Sequence, residues 1–121
     1  MLYVCVIKHK FITMTKFDSF STEQQELAKV AKLFSNPARI AIVQILAEKK
    51  EIRTGNISDF LPLNRTTVSQ HLQELNEMGV IKGTIDGKMI HYCLNMEKLN
   101  EMKNAFDKFF DSSISSFLCI C

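Results

Sequence analysis

Apolar residues recur at helical spacing along much of this chain, and in one stretch they alternate with polar residues instead. A first helix is predicted to begin at Ser21-Thr22-Glu23-Gln24, because an N-cap residue is followed closely by Glu and Gln. Asn36 and Pro37 predict that this helix stops and a second one starts, with Asn as the N-cap and Pro at the first helical position. The second helix is apolar over so much of its girth that we expect it at the centre of the core. The two stripes are Leu27, Val30, Ala31 and Phe34, then Ile40, Ile42, Val43, Ile45, Leu46 and Ala47.

The stretch from Leu61 to Gly79 is the most informative part of the sequence. We interpret it as a short helix, a tight turn and a second helix with a polar leading face. Pro62 ends the short helix, Asn64 caps the second helix, and Gly79 ends it. The short helix carries Ile57, Phe60 and Leu61, and the inward positions of the second helix are Val68, Leu72 and Leu75.

A β-hairpin is predicted directly after this pair of helices. Its strands run from Val80 to Ile85 and from Lys88 to Leu94, around Asp86-Gly87 as a two-residue turn. Ile52 is expected to form a brief strand. A helix-turn-helix followed by a hairpin predicts a mainly α fold with a small β-hairpin wing, the winged helix-turn-helix.

One more helix is predicted after the hairpin, with Asn95 as its N-cap. Its apolar stripe is Leu99, Met102, Phe106, Phe109 and Phe110. The chain is predicted to consist of three regions: an N-terminal extension over 1–20, the winged helix-turn-helix domain over 21–111, and a C-terminal tail with Cys-x-Cys over 112–121. The extension is left open as an extra strand, a disordered arm or a segment upstream of the true start, since Met14 precedes a more usual polar leader.

Composition is ordinary for a globular protein and excludes little. The 121 residues are 46% hydrophobic and 23% charged, and the net charge is +2, which is compatible with nucleic acid but too weak to argue for it. The four cysteines are expected to be reduced, because no secretion signal is visible. No apolar run is long enough for a transmembrane helix, so we expect a cytoplasmic protein with no membrane partner.

The helix that begins at Arg65 has the side chains of a major-groove reader. Arginine binds guanine edges, glutamine binds adenine, and Ser and Thr suit phosphates or bases. No acidic residue precedes Glu74 to repel phosphate, and a helix N-terminus itself favours phosphate. His71 borders the apolar stripe, so packing or a hydrogen bond is as plausible for it as DNA contact, and His91 is a weaker candidate. The predicted DNA-binding residues are Arg65, Thr66, Thr67, Ser69, Gln70 and Gln73 on the helix, with Lys82 and Lys88 at the wing.

From about Leu33 to Asn95 the chain resembles the ArsR/SmtB family of bacterial winged-helix repressors. LFSNPARIAIVQIL is similar to the family's helix with Pro, a small residue, Arg and an aliphatic run. NRTTVSQHLQELNEMGVIKGTIDGKMIHYCLN is similar to its recognition helix and wing, including the Thr-Val-Ser-x-His-Leu core and the Gly-basic-x-x-x-Tyr strand. Either segment alone is modestly specific, and the two together are specific.

The resemblance implies a homodimeric repressor of double-stranded operator DNA, with the first and last helices at the interface and an inducer that weakens DNA binding. The apolar stripes of the two terminal helices suit that interface, because a small domain has no second layer to bury them. The predicted interface residues are Leu27, Val30, Leu99, Met102, Phe106 and Phe109.

Both familiar inducer sites of the family are missing from this sequence. EKKEIRTGNIS lacks the Cys-x-Cys of arsenic-responsive members, and MEKLNEMKNAFDKFFD lacks the histidine of zinc-responsive ones. Cys119-x-Cys121 remains, with Cys93 as a tentative third ligand, Cys5 as another, or a ligand from a partner subunit. Such thiols would suit As(III) or another thiophilic metal ion, and no organic cofactor is expected. A redox or persulfide sensor, and a protein with no thiol-based sensing, stay open as alternatives.

Two rival classes have little support in the sequence. An enzyme is not expected, because there is no Gly-rich phosphate loop, no Ser nucleophile motif and no paired His-carboxylate spacing. A winged helix used only for protein interaction would tolerate acidic residues at the groove-facing positions, which this helix lacks. Salt-dependent binding to duplex DNA separates a reader from such a module.

Overall fold

The computed structural model describes residues 19–120, apart from the side chains of Thr54, Cys119 and Ile120. Within that range the chain is mainly helical, with one small antiparallel sheet. The first half contains α1 (Thr22–Leu33), α2 (Pro37–Lys49), β1 (Glu51–Arg53), α3 (Thr54–Ile57) and a 3-10 turn (Ser58–Phe60). The second half contains α4 (Arg65–Glu77), β2 (Ile81–Asp86), β3 (Met89–Leu94) and α5 (Met96–Ile120).

Side-chain caps fix the starts of the first two helices, as predicted. The Ser21 hydroxyl accepts from the Gln24 backbone N–H at 3.1 Å, and the Gln24 side chain accepts from the Ser21 backbone N–H at 2.9 Å. Asn36 accepts from the Ala38 backbone N–H at 2.9 Å, ahead of Pro37 in the first helical position. These bonds satisfy donors that a helix start otherwise leaves without partners.

The core lies where α2 and α4 pack under the sheet. Ile42 and Leu46 carry α2 into it, with 0% and 1% of their surfaces exposed. The apolar stripe predicted on α2 is too wide, since Ile40 is 42% exposed and Ala47 is also exposed. The reason is that the core covers one side of α2 only. The other large, fully buried side chains are Ile57, Val68, Leu72, Leu75, Val80 and Ile81.

The first arm of the helix-turn-helix is α3 with the 3-10 turn, and it ends at Phe60. Leu61, which was predicted to belong to the short helix, lies outside it. Leu61 is extended, with φ of −127° and ψ of 142°, because the following Pro62 disfavours helical backbone at the preceding residue. Residues 61–64 are therefore the turn, and α4 begins at Arg65 as predicted.

The sheet has strand order β1-β3-β2, so the predicted hairpin gains the expected brief strand at Ile52, which pairs with Tyr92. The predicted turn is displaced by one residue. Asp86 pairs with Met89, which leaves Gly87 and Lys88 as the loop, and Gly87 has a φ of 63°. Glycine at the first position of a two-residue loop is favoured because it adopts positive φ at little cost.

The last helix corrects the prediction of a tail over 112–121. α5 runs without interruption to Ile120, across the expected boundary after Asp111. Ile114, Phe117 and Leu118 therefore extend the stripe of Phe110 at helical spacing. Residues 1–18, most of the expected extension, lie outside the described residues. Among the described helices, none alone is long and apolar enough to cross a membrane, although α1 and α2 pass by length and composition as a pair bent by 83°.

Candidate nucleic-acid interface

α4 buries one side and exposes the side that carries the predicted DNA-binding residues. Val68, Leu72 and Leu75 are at most 1% exposed, so the apolar stripe holds the helix against the core. Thr67 is half-buried at the edge of that stripe. The structure brings the remaining predicted residues of the helix together on its exposed side, namely Arg65, Thr66, Ser69, Gln70 and Gln73.

The start of α4 is organised by a side-chain cap. Asn64 Oδ1 accepts from the Thr67 backbone N–H at 2.8 Å, and the first turn of the helix contains no acidic residue. An uncrowded helix N-terminus next to Arg65 is electrostatically suited to an anion. Farther along, Gln73 Nε2 donates to Glu77 Oε1 at 3.2 Å. That bond must open before the Gln73 amide can pair with a base edge.

The two wing lysines occupy different places on the hairpin. Lys88 is the second residue of the loop at the tip, and Lys82 lies in β2 opposite Cys93. The side chains of both lysines are exposed. The sheet face that carries Lys82 is mainly polar, and we call it the polar face. The residues on it are Glu51, Arg53, Lys82, Thr84, Asp86, Met89, His91 and Cys93. The other face contributes Ile52, Ile81 and Tyr92 to the core. Lysines at the tip and at the middle of a hairpin can contact phosphates along one groove.

Two carboxylates that the sequence did not single out also lie on the polar face of the sheet. His91 Nδ1 is 2.9 Å from Glu51 Oε1, and His91 Nε2 is 3.5 Å from Asp86 Oδ2. Alternation along β3 placed His91 on this face, but only the pairing of three strands brings Glu51 and Asp86 beside it. His91 is thus engaged within the sheet.

A second set of contacts missed from the sequence centres on Arg39 in the first turn of α2. Its guanidinium Nη1 donates to Glu74 Oε2 at 2.5 Å and lies 3.3 Å from His71 Nδ1. Between packing and DNA contact for His71, the structure therefore favours the internal contact, and the side chain is half-buried. The residues are 35 and 32 positions apart, so no local sequence signal connects them.

The predicted interface residues divide into a buried and an accessible group. Val30 and Met102 are 8% and 5% exposed and belong to the core of their own chain, so they offer little surface to a partner. Leu27, Leu99 and Phe106 are half-buried. An open groove of about 870 Å³ lies between α1 and α5. Among the described side chains in the second half of α5, the large exposed apolar ones are each at least 46% exposed, namely Phe109, Phe110, Ile114, Phe117 and Leu118.

Of the cysteines predicted as metal ligands, only Cys93 has a described side chain. Cys93 is a free, half-buried thiol whose cross-strand neighbours are Glu51 and Lys82. Among the described residues, no group of three or more His, Cys, Asp or Glu side chains is placed to hold a metal ion. Cys119 lies in the last turn of α5, but its side chain, Cys121 and Cys5 fall outside the description. The Cys119-Cys121 site therefore stays a prediction.

Sequence comparison finds regulators. A family model described as bacterial regulatory protein, arsR family, matches residues 36–82, which span α2 to the start of β2. A cadmium resistance transcriptional regulatory protein CadC homolog of Staphylococcus aureus is 26% identical over 84% of this chain and 84% of its own length. The transcriptional repressor PagR of Bacillus anthracis is 33% identical over 71% of this chain and 89% of its own length.

Comparison with solved structures finds proteins with the same fold. A crystal structure described as a possible transcriptional regulator for arsenical resistance matches with a TM-score of 0.62 and 27% identity, and the match covers 74% of this chain and 93% of that one. The winged helix-turn-helix predicted from the sequence is confirmed.

Proposed function

This chain belongs to the ArsR family of bacterial regulatory proteins, and we propose that it is a homodimeric repressor whose operator affinity falls when a thiophilic metal or metalloid binds. Its relatives are transcriptional regulators, a DNA-binding class without enzymatic activity, so the enzyme alternative is set aside. A protein that acts on its own operator works in the cytoplasm.

DNA recognition is assigned to the exposed side of α4. The single observation that supports the proposal is that the polar side chains of this helix are exposed together on that side. Arg65 near the capped N-terminus suits a guanine edge, and Gln70 suits an adenine one turn farther on. Lys82 and Lys88 suit the phosphate backbone beside the wing. Each good bidentate base contact contributes about 1–3 kcal/mol of discrimination against the wrong base, so two such contacts give a useful specificity.

Dimerisation is assigned to α1 and the second half of α5. Leu27, Phe106 and Phe109 line the groove between the two helices, and the exposed apolar side chains of α5 continue beyond it at helical spacing. A twofold dimer would cover the same surface on both subunits. It would also present two α4 helices to successive major grooves, which is how dimeric readers bind a palindromic site.

The inducer is proposed to be As(III), cadmium or another soft ion held by thiolates. One relative is named for cadmium resistance, and a similar solved protein is described as a possible transcriptional regulator for arsenical resistance. Cys119 lies in the last turn of α5, the helix assigned to the interface, so ions bound there could change the geometry of the dimer. Cys121 and Cys93 complete the candidate ligand set. Redox or persulfide sensing by the same thiols is the second candidate.

DNA binding is tested with the DNA upstream of the protein's own gene. We expect the affinity for that duplex to exceed the affinity for a scrambled duplex, and both to fall steeply as salt rises. Arg65→Ala and Gln70→Ala should lower the preference for the upstream DNA. Lys88→Ala should lower the affinity for both duplexes alike and reduce the dependence of that affinity on salt concentration. No preference for any upstream fragment, or salt-insensitive binding, would overturn the proposal of an operator reader.

Inducer sensing is tested with the variant Cys119→Ser/Cys121→Ser and with Cys93→Ser alone. Arsenite, antimonite, cadmium, zinc and an oxidant are added separately to the protein-operator complex. We expect a thiophilic ion to release the native protein and to leave the double variant bound. Release of the double variant by the same ion contradicts the assigned ligands. Release by the oxidant alone supports the redox candidate instead.

A further inference from the structure

Arg39 links three helices through one nearly buried side chain. Its Nε donates to the Leu33 carbonyl at 2.5 Å, and its Nη2 donates to the Lys32 carbonyl at 3.4 Å. Both carbonyls belong to the last turn of α1, where a helix carries a partial negative charge. The Lys32 carbonyl also accepts from the Ser35 hydroxyl at 2.6 Å, so the shorter bond to Leu33 is the main contribution of Arg39 to this cap. The arginine itself stands in α2, and its side chain is 11% exposed. One guanidinium therefore caps α1 from the neighbouring helix.

The remaining edge of the same guanidinium points at α4. Nη1 donates to Glu74 Oε2 at 2.5 Å and lies 3.3 Å from His71 Nδ1. Glu74 is one turn after Gln70 and is adjacent in sequence to Gln73, so it borders the exposed reading side of the helix. Arginine has five donors in a rigid planar fork, which allows one side chain to orient two helices at once.

This link differs in kind from the other contacts that hold α4. Val68, Leu72 and Leu75 attach the helix to the core by apolar packing, which contributes most of the stability but is not directional. A charge-assisted hydrogen bond is directional and weakens as its geometry is distorted. The rotation of α4 about its axis, which decides where Gln70 and Gln73 point, is thus constrained by a bond to Glu74.

We propose that Arg39 is a positioning residue for DNA recognition, which fixes the orientation of α4 relative to the C-terminal end of α1. This inference rests on the proposed function, in which α4 reads DNA and α1 belongs to the dimer interface. The link then relates each reading helix to the subunit contact. A change in the packing of α1 would be transmitted to α4 through this side chain.

The test compares operator DNA with a scrambled duplex for Arg39→Met and Glu74→Gln. The two substitutions change the net charge in opposite directions, so simple electrostatics lowers the affinity of one variant and raises that of the other for every duplex. The ratio of operator affinity to scrambled affinity cancels that effect. We expect this ratio to fall roughly five- to twentyfold in both variants. In Arg39→Met/Glu74→Gln the ratio should fall no further than in the stronger single variant, because Arg39→Met removes the same link that Glu74→Gln weakens to an uncharged hydrogen bond.

The control is Lys103→Gln, which breaks the exposed pair of Lys103 with Asp107 on α5 and should leave the ratio unchanged. Thermal unfolding is measured for every variant. If Arg39→Met does not fold, Glu74→Gln and Arg39→Lys still decide the matter. A stability loss with an unchanged ratio in those variants makes Arg39 merely structural and overturns the inference. If the native protein shows no operator preference, the proposed function fails instead.

Discussion

Across the polar face of the sheet, the imidazole Nδ1 of His91 lies 2.9 Å from the carboxylate Oε1 of Glu51. A carboxylate oxygen accepts but does not donate, so the neutral ring carries its proton on Nδ1 in this arrangement. Nε2 then presents a lone pair. That atom is buried without a hydrogen-bond partner among the described residues, and its nearest charged neighbour is Asp86 at 3.5 Å. The neutral ring therefore donates a hydrogen bond to Glu51 and makes none with Asp86.

We predict that Asp86→Asn stabilises the protein. The new amide can donate to the unpaired Nε2 of His91, and satisfying a buried acceptor typically contributes about 0.5–1.5 kcal/mol. The substitution also removes a negative charge beside Lys88 at the wing tip, so affinity for any duplex should rise. Thermal unfolding and DNA titration at neutral pH measure the two effects.

Two controls isolate the role of His91 in that prediction. Asp111→Asn makes the same chemical change on α5, away from the wing, and should alter neither stability nor DNA affinity appreciably. In a His91→Gln background, Asp86→Asn should lose most of its stabilising effect, because the ring it pairs with is gone. A stabilisation that persists undiminished in that background would contradict the explanation.

Gly83 offers a second prediction, about the close approach of Tyr92 across the hairpin. A Cβ atom built on Gly83 would lie 2.9 Å from Tyr92 Cε1 and 3.1 Å from Ile90 Cγ2. Tyr92 is 9% exposed and part of the core, so it has little freedom to move away. We expect Gly83→Ala to destabilise the chain by about 1–3 kcal/mol, the usual range for overpacking. Thr84→Ala, on the exposed face of the same strand, is the control in urea unfolding, and an equal effect of both would refute the steric argument.

The sequence predicted helix starts and strand alternation well because both are local. Ser21, Asn36 and Asn64 each cap a helix through a backbone N–H two or three residues away, so the signal and the structure share one short window. The hairpin turn was displaced because its position depends on pairing of whole strands. Asp86-Gly87 and Gly87-Lys88 are both acceptable locally, and the register that pairs Ile81 with Leu94 selects the second.

Contacts between residues that are far apart along the chain could not be predicted from one sequence, because no local pattern encodes them. The apolar stripes of α1 and α5 could not reveal that Val30 and Met102 face their own core while Phe109 remains exposed. A tail was predicted after Asp111, but α5 continues to Ile120 through the four serines at 112, 113, 115 and 116. The pairing of Arg39 with Glu74 joins residues 35 positions apart and has no local signature.

The cap of α4 can be separated from other caps by its effect on DNA binding. Asn64→Ala and Asn36→Ala each remove one side-chain acceptor from a helix N-terminus, and each should cost about 1 kcal/mol of folding stability. Only Asn64 orders the turn that carries Arg65 and Thr66. We expect Asn64→Ala to weaken operator binding severalfold at a temperature where both variants are folded, and Asn36→Ala to leave it within twofold. Equal losses of operator affinity would mean that the cap affects stability alone.

The exposed end of α5 allows a direct test of the proposed dimer. Phe117 is 66% exposed in the single chain, so Phe117→Ser removes little internal packing. If a partner covers it, each subunit loses about 1.5 kcal/mol of apolar burial and the dimer about twice that. The dimer dissociation constant should then rise about a hundredfold. Ser116→Ala, on the preceding position of the same turn, is the matched control.

Sedimentation equilibrium over a wide range of protein concentrations measures that constant, and thermal unfolding at a fixed concentration checks that the variant still folds. Weaker dimerisation should carry operator affinity down with it, because two linked reading helices bind far more tightly than one. A Phe117→Ser protein that dimerises like the native chain would show that the interface does not reach the last turns of α5. A native chain that stays monomeric at the concentrations at which it binds its operator would refute the dimer itself.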